Sequence, residues 1–473
     1  MSSSVRETNL PSIKNAPLVG LAEGNAQFSN YQFAALVLFV PYIVKSFTPL
    51  VNRGGWYTYL FILALTGVPT TIGYWYLMSN YGARKNEKVI LPNKNIEEYI
   101  TIKNLELKQL YNGKNKIPMQ IFHDAYFEGK IDFNGDVLDI LEQRHDWAKF
   151  NFTPELFKYV FMNFIPEVIV HSQSQDEEQV RNHYDRGDDF YGWTTSLLSC
   201  AISSTFSPQT GSRFIVYLPP ITSSSTRSLL DVGCGWGTLV AYAAKNFGCD
   251  ATGVTLGKNQ TKFGTERIAQ NGIPADKARI LCCDYREIPH GQGIYDKIVS
   301  LEMAEHVGIR RYSAFVSQMY ELLADDGIFV LQVAGFRPGW QFEDLVWGLF
   351  LNKYVFPGAD ASASLGWVIT KLEQANFEVK SIDVLGFHYS ATIWRWYLNW
   401  LSNKDAIVAK YGDKWFRTWA FFLAWSTIAS RQGSAAVFQI TLHKNLNAYH
   451  RILGAPNHGG IHIKPAKEPE LIL

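Results

Sequence analysis

In the segment LLDVGCGWG, Asp231 precedes three closely spaced glycines, Gly233, Gly235 and Gly237, at the end of an apolar run. Glycine admits positive φ and lets the backbone come close to a ligand. Where a strand runs through such a turn into a helix, the crevice at its carboxyl end is a ligand site. A dinucleotide fingerprint would read G-x-G-x-x-G, with an acid about twenty residues on. Here the third glycine comes one residue early, an acid precedes the first glycine, and the next strand ends in Thr255. That spacing disfavours a dinucleotide oxidoreductase. Further on, Glu305 and His306 in EMAEHVG offer a carboxylate and an imidazole, groups suited to moving a proton. Aromatic residues crowd FHYSATIWRWYLNWL (Phe387, Tyr389, Trp394, Trp396) and WQFEDLVWGLF (Trp340, Trp347). Aromatic faces stabilise cations, but most of these read as core or as the lining of an apolar channel.

The elements that must position these residues follow from residue 180 onward. SLLDV, DATGVTL, ARILCCD, YDKIVSLEM and IFVLQVAG read as strands. TLVAYAAKNFG, KNQTKFGTERIAQNG and YSAFVSQMYELLADDG read as helices between them, the first two closed by Gly248 and Gly272. Alternation of this kind predicts an open, mostly parallel α/β sheet. Cys282 and Cys283 fall in the third strand, and with Cys234 and Cys249 read as packing residues. Five cysteines without a C-x-x-C repeat exclude a disulfide scaffold and a recognisable zinc module, so no metal is expected.

The rest of the chain differs in character. Its 473 residues are 47% hydrophobic and 18% charged, with a net charge of +1, which argues against a nucleic-acid partner recruited by a global positive field. Mean hydropathy is −0.08, an average that conceals two apolar runs. The first thirty residues are polar, broken by Pro and Gly, and read as a flexible tail rather than a signal peptide. Phe33 to Val51 is apolar apart from Lys45, and Trp56 to Met78 follows after NRGG. About 20 helical residues cross the ~30 Å hydrocarbon layer. Aromatic residues sit at both ends of the second run, Arg84, Lys85 and Lys88 follow it, and the pair predicts a transmembrane hairpin with both ends in the cytosol. The segment 152–170 is apolar on one side and reads either as a core helix or as one that skims a membrane.

The D-x-G-x-G turn is the pattern of S-adenosylmethionine-dependent methyltransferases. Together with HYDRGDDFY, GVTLGKNQ, DKIVSLEMAEHVG and YSATIWRW, it resembles the cyclopropane fatty-acid synthase and mycolic-acid methyltransferase family over about residues 180–444. With its N-terminal apolar pair the whole chain resembles the fungal sphingolipid C9-methyltransferases. The resemblance implies an α/β, Rossmann-like class I methyltransferase fold behind a two-helix transmembrane hairpin. The expected division is a tail (1–30), the hairpin (31–80), a helical linker region (81–180), the methyltransferase domain (181–444) and a C-terminal tail (445–473). The cofactor would be held by Tyr184, Ser199, Asp231, Gly233, Gly235, Gly237, Thr255, Gln260, Asp284, Tyr285 and Arg286. In the family a bicarbonate ion serves as general base, and Cys200, Glu305 and Tyr389 match three of its four holders. Gln332 stands where the fourth, a histidine, is expected; it can hydrogen-bond an anion but carries no charge. Proton removal by Glu305 or His306 themselves is the alternative to bicarbonate. Ser426 stands where the family has a cysteine.

The resemblance further implies methylation at C9 of the Δ8 double bond in ceramide or glucosylceramide, at the endoplasmic reticulum with the catalytic domain facing the cytosol. An alkene is a weak nucleophile, so the donor must be activated. Methyl transfer leaves a carbocation, and loss of the C9 proton restores the double bond, while loss from the new methyl would close a cyclopropane. Water must be kept away from that cation. Two other readings remain at this point: cyclopropanation or methyl-branching of phospholipid acyl chains, and a membrane-anchored lipid-binding protein with an inactive site.

Overall fold

The computed structural model describes residues 29–49, 51–82, 92–164, 228–289, 291–338, 342–357 and 363–446. The chain divides into two compact units. One draws on Asn15–Ile169 and Gly339–Phe350, the other on Met1–Lys14, Val170–Pro338 and Leu351–Leu473. The twelve residues Gly339–Phe350, inside the span read from the sequence as the methyltransferase domain, cluster with the N-terminal unit.

The N-terminal unit begins with helices α1 (Asn30–Phe47) and α2 (Trp56–Tyr81). Ser29 caps α1 by accepting from the Gln32 amide at 3.3 Å, and Gly55 and Gly82 bracket α2. The two pack as an antiparallel pair: the Tyr59 hydroxyl donates to the Leu38 carbonyl at 2.8 Å, and the Phe33 and Tyr74 rings meet tilted, with centroids 5.3 Å apart. At 26 residues α2 is about 39 Å long and can cross the hydrocarbon layer. Only 11% of its most apolar 18-residue window is buried, so among the described residues it is not packed as a core helix. The first helix is shorter, with Pro41 inside it and Lys45 in its last turn.

Residues 92–164 are more than the helical linker the sequence suggests. They form α3 (Ile96–Tyr99), β1 (Ile100–Ile102), α4 (Leu105–Leu110), β2 (Ile117–Pro118), α5 (Met119–Phe127), β3 (Ile131–Phe133), α6 (Val137–Glu142), α7 (Arg144–Trp147), β4 (Ala148–Lys149) and α8 (Pro154–Tyr159). β1 pairs antiparallel with β3 and β2 parallel with β4. Phe122 is the hub, 5.0 Å from Phe133 and 4.7 Å from Trp147 between ring centroids. The strands are two or three residues long, too short to leave a two-residue periodicity.

The second unit is built on β5 (Ser228–Val232), α9 (Thr238–Phe247), β6 (Asp250–Thr255), α10 (Lys258–Gln270), β7 (Ala278–Cys282), β8 (Tyr295–Leu301), α11 (Tyr312–Leu322) and β9 (Leu323–Phe336). After α12 (Phe342–Phe350), which belongs to the first unit, come α13 (Leu365–Gln374), β10 (Phe377–Val384), α14 (Gly386–Ser402), α15 (Lys404–Tyr411), α16 (Asp413–Arg431) and β11 (Ala435–Lys444). The seven strands lie in the order β10-β11-β9-β8-β5-β6-β7. β5 to β9 are parallel, and β11 is antiparallel to both of its neighbours. The order reverses at β5, which lies between β6 and β8, so a crevice opens at the carboxyl ends of β5 and β8.

Two details depart from the sequence reading. The helix expected over 312–327 stops at Leu322, and LADD opens β9; Tyr295 pairs with Leu323, and the ladder resumes at Lys297 opposite Ile328. Burial of Leu322 and Leu323 on either side of the switch outweighs the turn propensity of the Asp-Asp-Gly run. Cys282 ends β7 exposed rather than in the core, whereas Cys234 and Cys249 are buried as expected.

Candidate active site

The turn after β5 has the backbone its glycines imply: φ is +82° at Gly233, +51° at Gly235 and +71° at Gly237. The Gly233 and Cys234 amides donate to the Val254 carbonyl at 2.9 and 3.0 Å, pinning the turn against β6. A Cβ on Gly237 would stand 2.4 Å from Ile280 Cδ1 and 3.1 Å from Gly264 Cα, so this glycine serves packing. A Cβ on Gly235 would meet nothing within 4 Å, which marks the open side of the cradle. Asp231 ends β5 buried, and burial pushes its carboxyl up to about 7. The helix that follows is fastened by Arg267, whose guanidinium donates to the Trp236 carbonyl at 2.9 Å and to Thr238 Oγ1 at 2.6 Å.

The other cradle residues come together as two small sets. The Thr255 hydroxyl donates to Gln260 Oε1 at 2.6 Å, both side chains being buried. At the end of β7, Asp284 Oδ1 accepts from the Arg286 backbone amide and from Arg286 Nε, both at 2.8 Å, and Arg286 lies over the Tyr285 ring. Asp284 Oδ2 is buried without a hydrogen-bond partner among the described residues, an acceptor open to a ligand's hydroxyl or amine. A glycine cradle with an open side and a free buried acceptor fit an adenosyl group. Tyr184, Ser199, Cys200 and Trp340 lie outside the described residues.

Beyond the carboxyl end of β8 the structure gathers a cluster that the sequence reading only half identified. Glu305 is buried; its Oε1 accepts from the Ala334 amide and its Oε2 has no partner among the described residues. Beside it stands Glu302, which no motif had singled out. Its φ is +56°, a left-handed conformation that disfavours a side chain, and its amide donates to the Gln332 carbonyl at 2.9 Å. The Gln332 side chain donates to Glu302 Oε1 at 3.0 Å, and its own Oε1 accepts from Gln439 Nε2 at 3.0 Å. The Tyr389 hydroxyl also bonds to the Glu302 carboxylate. His306 follows Glu305 on the same 3₁₀ turn, Ala304–His306, and is partly exposed. Ser426 is buried in α16.

The electrostatics are those of two acids sharing a site. Burial raises Glu302 to about 7, although Gln332 and Tyr389 favour its anion. Burial and the neighbouring Glu302 push Glu305 well above the usual carboxylate range, with the Ala334 amide only partly offsetting them. Tyr389 is likewise raised, first by burial and then by the two acids. Gln439 is the second residue the sequence did not reveal. It sits directly opposite Gln332 in the β9–β11 register.

Comparison with known proteins agrees with this geometry. Residues 171–440 match the family described as "Mycolic acid cyclopropane synthetase". Sphingolipid C9-methyltransferase 2 of Gibberella zeae is 49% identical, over 97% of this chain and 89% of its own. The sphingolipid C9-methyltransferase of Komagataella phaffii is 50% identical, over 95% of this chain and 94% of its own. Among solved structures, the mycolic acid cyclopropane synthase CmaA1 complexed with SAH and CTAB superposes with a TM-score of 0.50 at 26% identity, covering 57% of this chain and 98% of that one. The chain belongs to the mycolic acid cyclopropane synthetase family of methyltransferases.

Proposed function

We propose that this chain methylates C9 of the Δ8-unsaturated sphingoid base of ceramide or glucosylceramide, using S-adenosylmethionine. The observation that carries the reading is the near end-to-end likeness to sphingolipid C9-methyltransferases, which takes in the N-terminal unit that the match over residues 171–440 leaves out. The cofactor supplies an electrophilic methyl group on a sulfonium. Asp231, Gly233, Gly235, Gly237, Thr255, Gln260, Asp284, Tyr285 and Arg286 would hold it, joined by Tyr184 and Ser199. Glu305, Gln332 and Tyr389, with His306 and Cys200, form the set that handles the proton.

The described residues of that set do not fit a bicarbonate ion. The groups shown acting on the two acids are each other, Gln332, Tyr389 and the Ala334 and Glu305 amides, which are neutral apart from the acids themselves. The Gln332 amide already serves Glu302. A further anion would face at least one carboxylate with no compensating charge.

The apolar helices would anchor the enzyme in the endoplasmic reticulum membrane, with the catalytic unit on the cytosolic side. Mass spectrometry of lipids from cells expressing the chain tests the activity. A sphingoid base heavier by one methylene is expected; the added carbon appearing only in phospholipid acyl chains would overturn it.

A further inference from the structure

We propose that Glu302 is the proton acceptor of the methylation, a protein-borne base in the place where the family pattern implies bicarbonate. The inference rests on the reading above and names the group within that site which takes the proton. Three observations carry it. Glu302 receives hydrogen bonds from Gln332 and Tyr389, two neutral donors that favour its anion. Glu305, more deeply buried and with its Oε2 lacking any donor among the described residues, is the member of the pair that stays protonated, the single Ala334 amide on Oε1 only partly offsetting its burial. Glu302 keeps part of its surface open and sits at φ +56°, and strained non-glycine residues of this kind concentrate where a side chain has to be aimed.

The step balances as follows. The alkene π pair forms the bond from C9 to the methyl carbon as the S–CH₃ bond breaks with its electron pair staying on sulfur, leaving the cation at C8. The Glu302 carboxylate takes the proton from C9, and the C9–H pair becomes the restored C8=C9 bond. The resulting Glu302 carboxylic acid returns its proton to water after product leaves. Glu305, already protonated, cannot compete for the proton, and the Gln332 and Tyr389 donors hold the acceptor oxygens in place.

The test uses the full-length chain in membranes, with S-adenosylmethionine and a Δ8-unsaturated ceramide. Glu302→Gln should lower turnover by about 10²- to 10⁴-fold, the usual contribution of a general base. Its S-adenosylmethionine affinity by calorimetry should stay within about threefold of wild type, since the cradle is untouched. Glu302→Gly guards against a folding artefact: it should be as inactive while still binding S-adenosylmethionine, because glycine accepts φ +56° without strain and so offsets part of the loss of the Gln332 and Tyr389 hydrogen bonds. Wild-type turnover should be unchanged in bicarbonate-depleted buffer. A rate that falls on depletion and returns with added bicarbonate overturns the proposal, as does Glu302→Gln turning over within a few-fold of wild type. In both cases the function itself stands. Wild type that produces no methylated sphingoid base refutes the underlying reading instead.

Discussion

Gln332 Nε2 donates to Glu302 Oε1 at 3.0 Å, and Gln439 decides which way that amide faces by donating to Gln332 Oε1. The relay delivers a donor to an acid without delivering charge. Gln332→His changes this: an imidazolium beside Glu302 would favour its carboxylate and lower its pKa. The midpoint of the pH–rate profile should shift to lower pH by about one unit, the ordinary effect of a single neighbouring charge. An unmoved midpoint would show that Glu302 does not control the profile.

The wild-type profile has a definite sign. Glu302 titrates at about 7 and must be anionic to accept a proton, so turnover should rise as pH increases through 7 and then level off. Steady-state rates from pH 5.5 to 9 check this.

Stability should run the other way. Glu302 and Asp231 have folded-state values near 7, above those of the unfolded chain, so their contribution is fully present below the unfolded pKa and is lost as pH rises through 7. His443 acts oppositely: burial holds it down at about 4, and its contribution grows as pH rises from 4 to its unfolded value near 6.5. The acids are therefore seen alone between about pH 6.5 and 8. The melting temperature should fall with pH in that window, and Glu302→Gln should reduce the slope.

Two glycines separated by one residue should fail differently. Gly237→Ala drives a Cβ to 2.4 Å from Ile280 Cδ1 in a turn at φ +71°, and should cost about 1–3 kcal/mol of stability by overpacking. Gly235→Ala meets only open space, so it should melt closer to wild type yet bind S-adenosylmethionine at least tenfold more weakly. Thermal denaturation and calorimetry on the pair separate a packing glycine from a ligand-facing one.

How far the sequence could be read depends on the range of the interactions involved. The glycine turn at 233–237 and the β5–α9–β6 succession are local patterns, and they appear where the spacing puts them. Glu305 was visible because its motif is local too. Glu302 lies in the same string, but its importance comes from Gln332 thirty residues on and Tyr389 on α14. Gln439 matters only through its register with Gln332 across two strands. The aromatic core of residues 92–164 was hidden for the converse reason: Phe122, Phe133 and Trp147 meet from three elements, none long enough to show a period.

In the N-terminal unit a buried ion pair ties α7 to α12. Arg144 Nε donates to Glu343 Oε1 at 2.5 Å, and His145 Nε2 lies 3.1 Å from Glu343 Oε2. Arg144 and His145 hold the Glu343 carboxyl far below its usual range against the cost of burial. Arg144→Met leaves that carboxylate without its main partner and should cost roughly 3–5 kcal/mol, whereas adding Glu343→Gln should recover part of the loss. Chemical denaturation of the single and double variants measures the coupling. A double variant no more stable than Arg144→Met would mean that the Arg144 side chain matters through packing alone.

The helix α2 presents Phe61, Leu65 and Val68 at 64%, 60% and 49% exposure, a stripe no part of the described chain covers. Left in water, that surface would drive association; in a bilayer it needs no partner. Leu65→Arg near the middle of this helix should weaken insertion by about 2.5–3.5 kcal/mol and move protein into the carbonate-extractable fraction. The shorter α1 raises a second question, whether it crosses as well. If both cross, glycosylation tags at the N-terminus and at the C-terminus both stay unmodified. If α2 crosses alone with the catalytic unit in the cytosol, the N-terminal tag becomes glycosylated. We expect neither tag to be modified, because Tyr59 and Tyr74 of α2 hydrogen-bond to backbone carbonyls of Leu38 in α1 and of its cap residue Ser29, holding the two as one antiparallel pair.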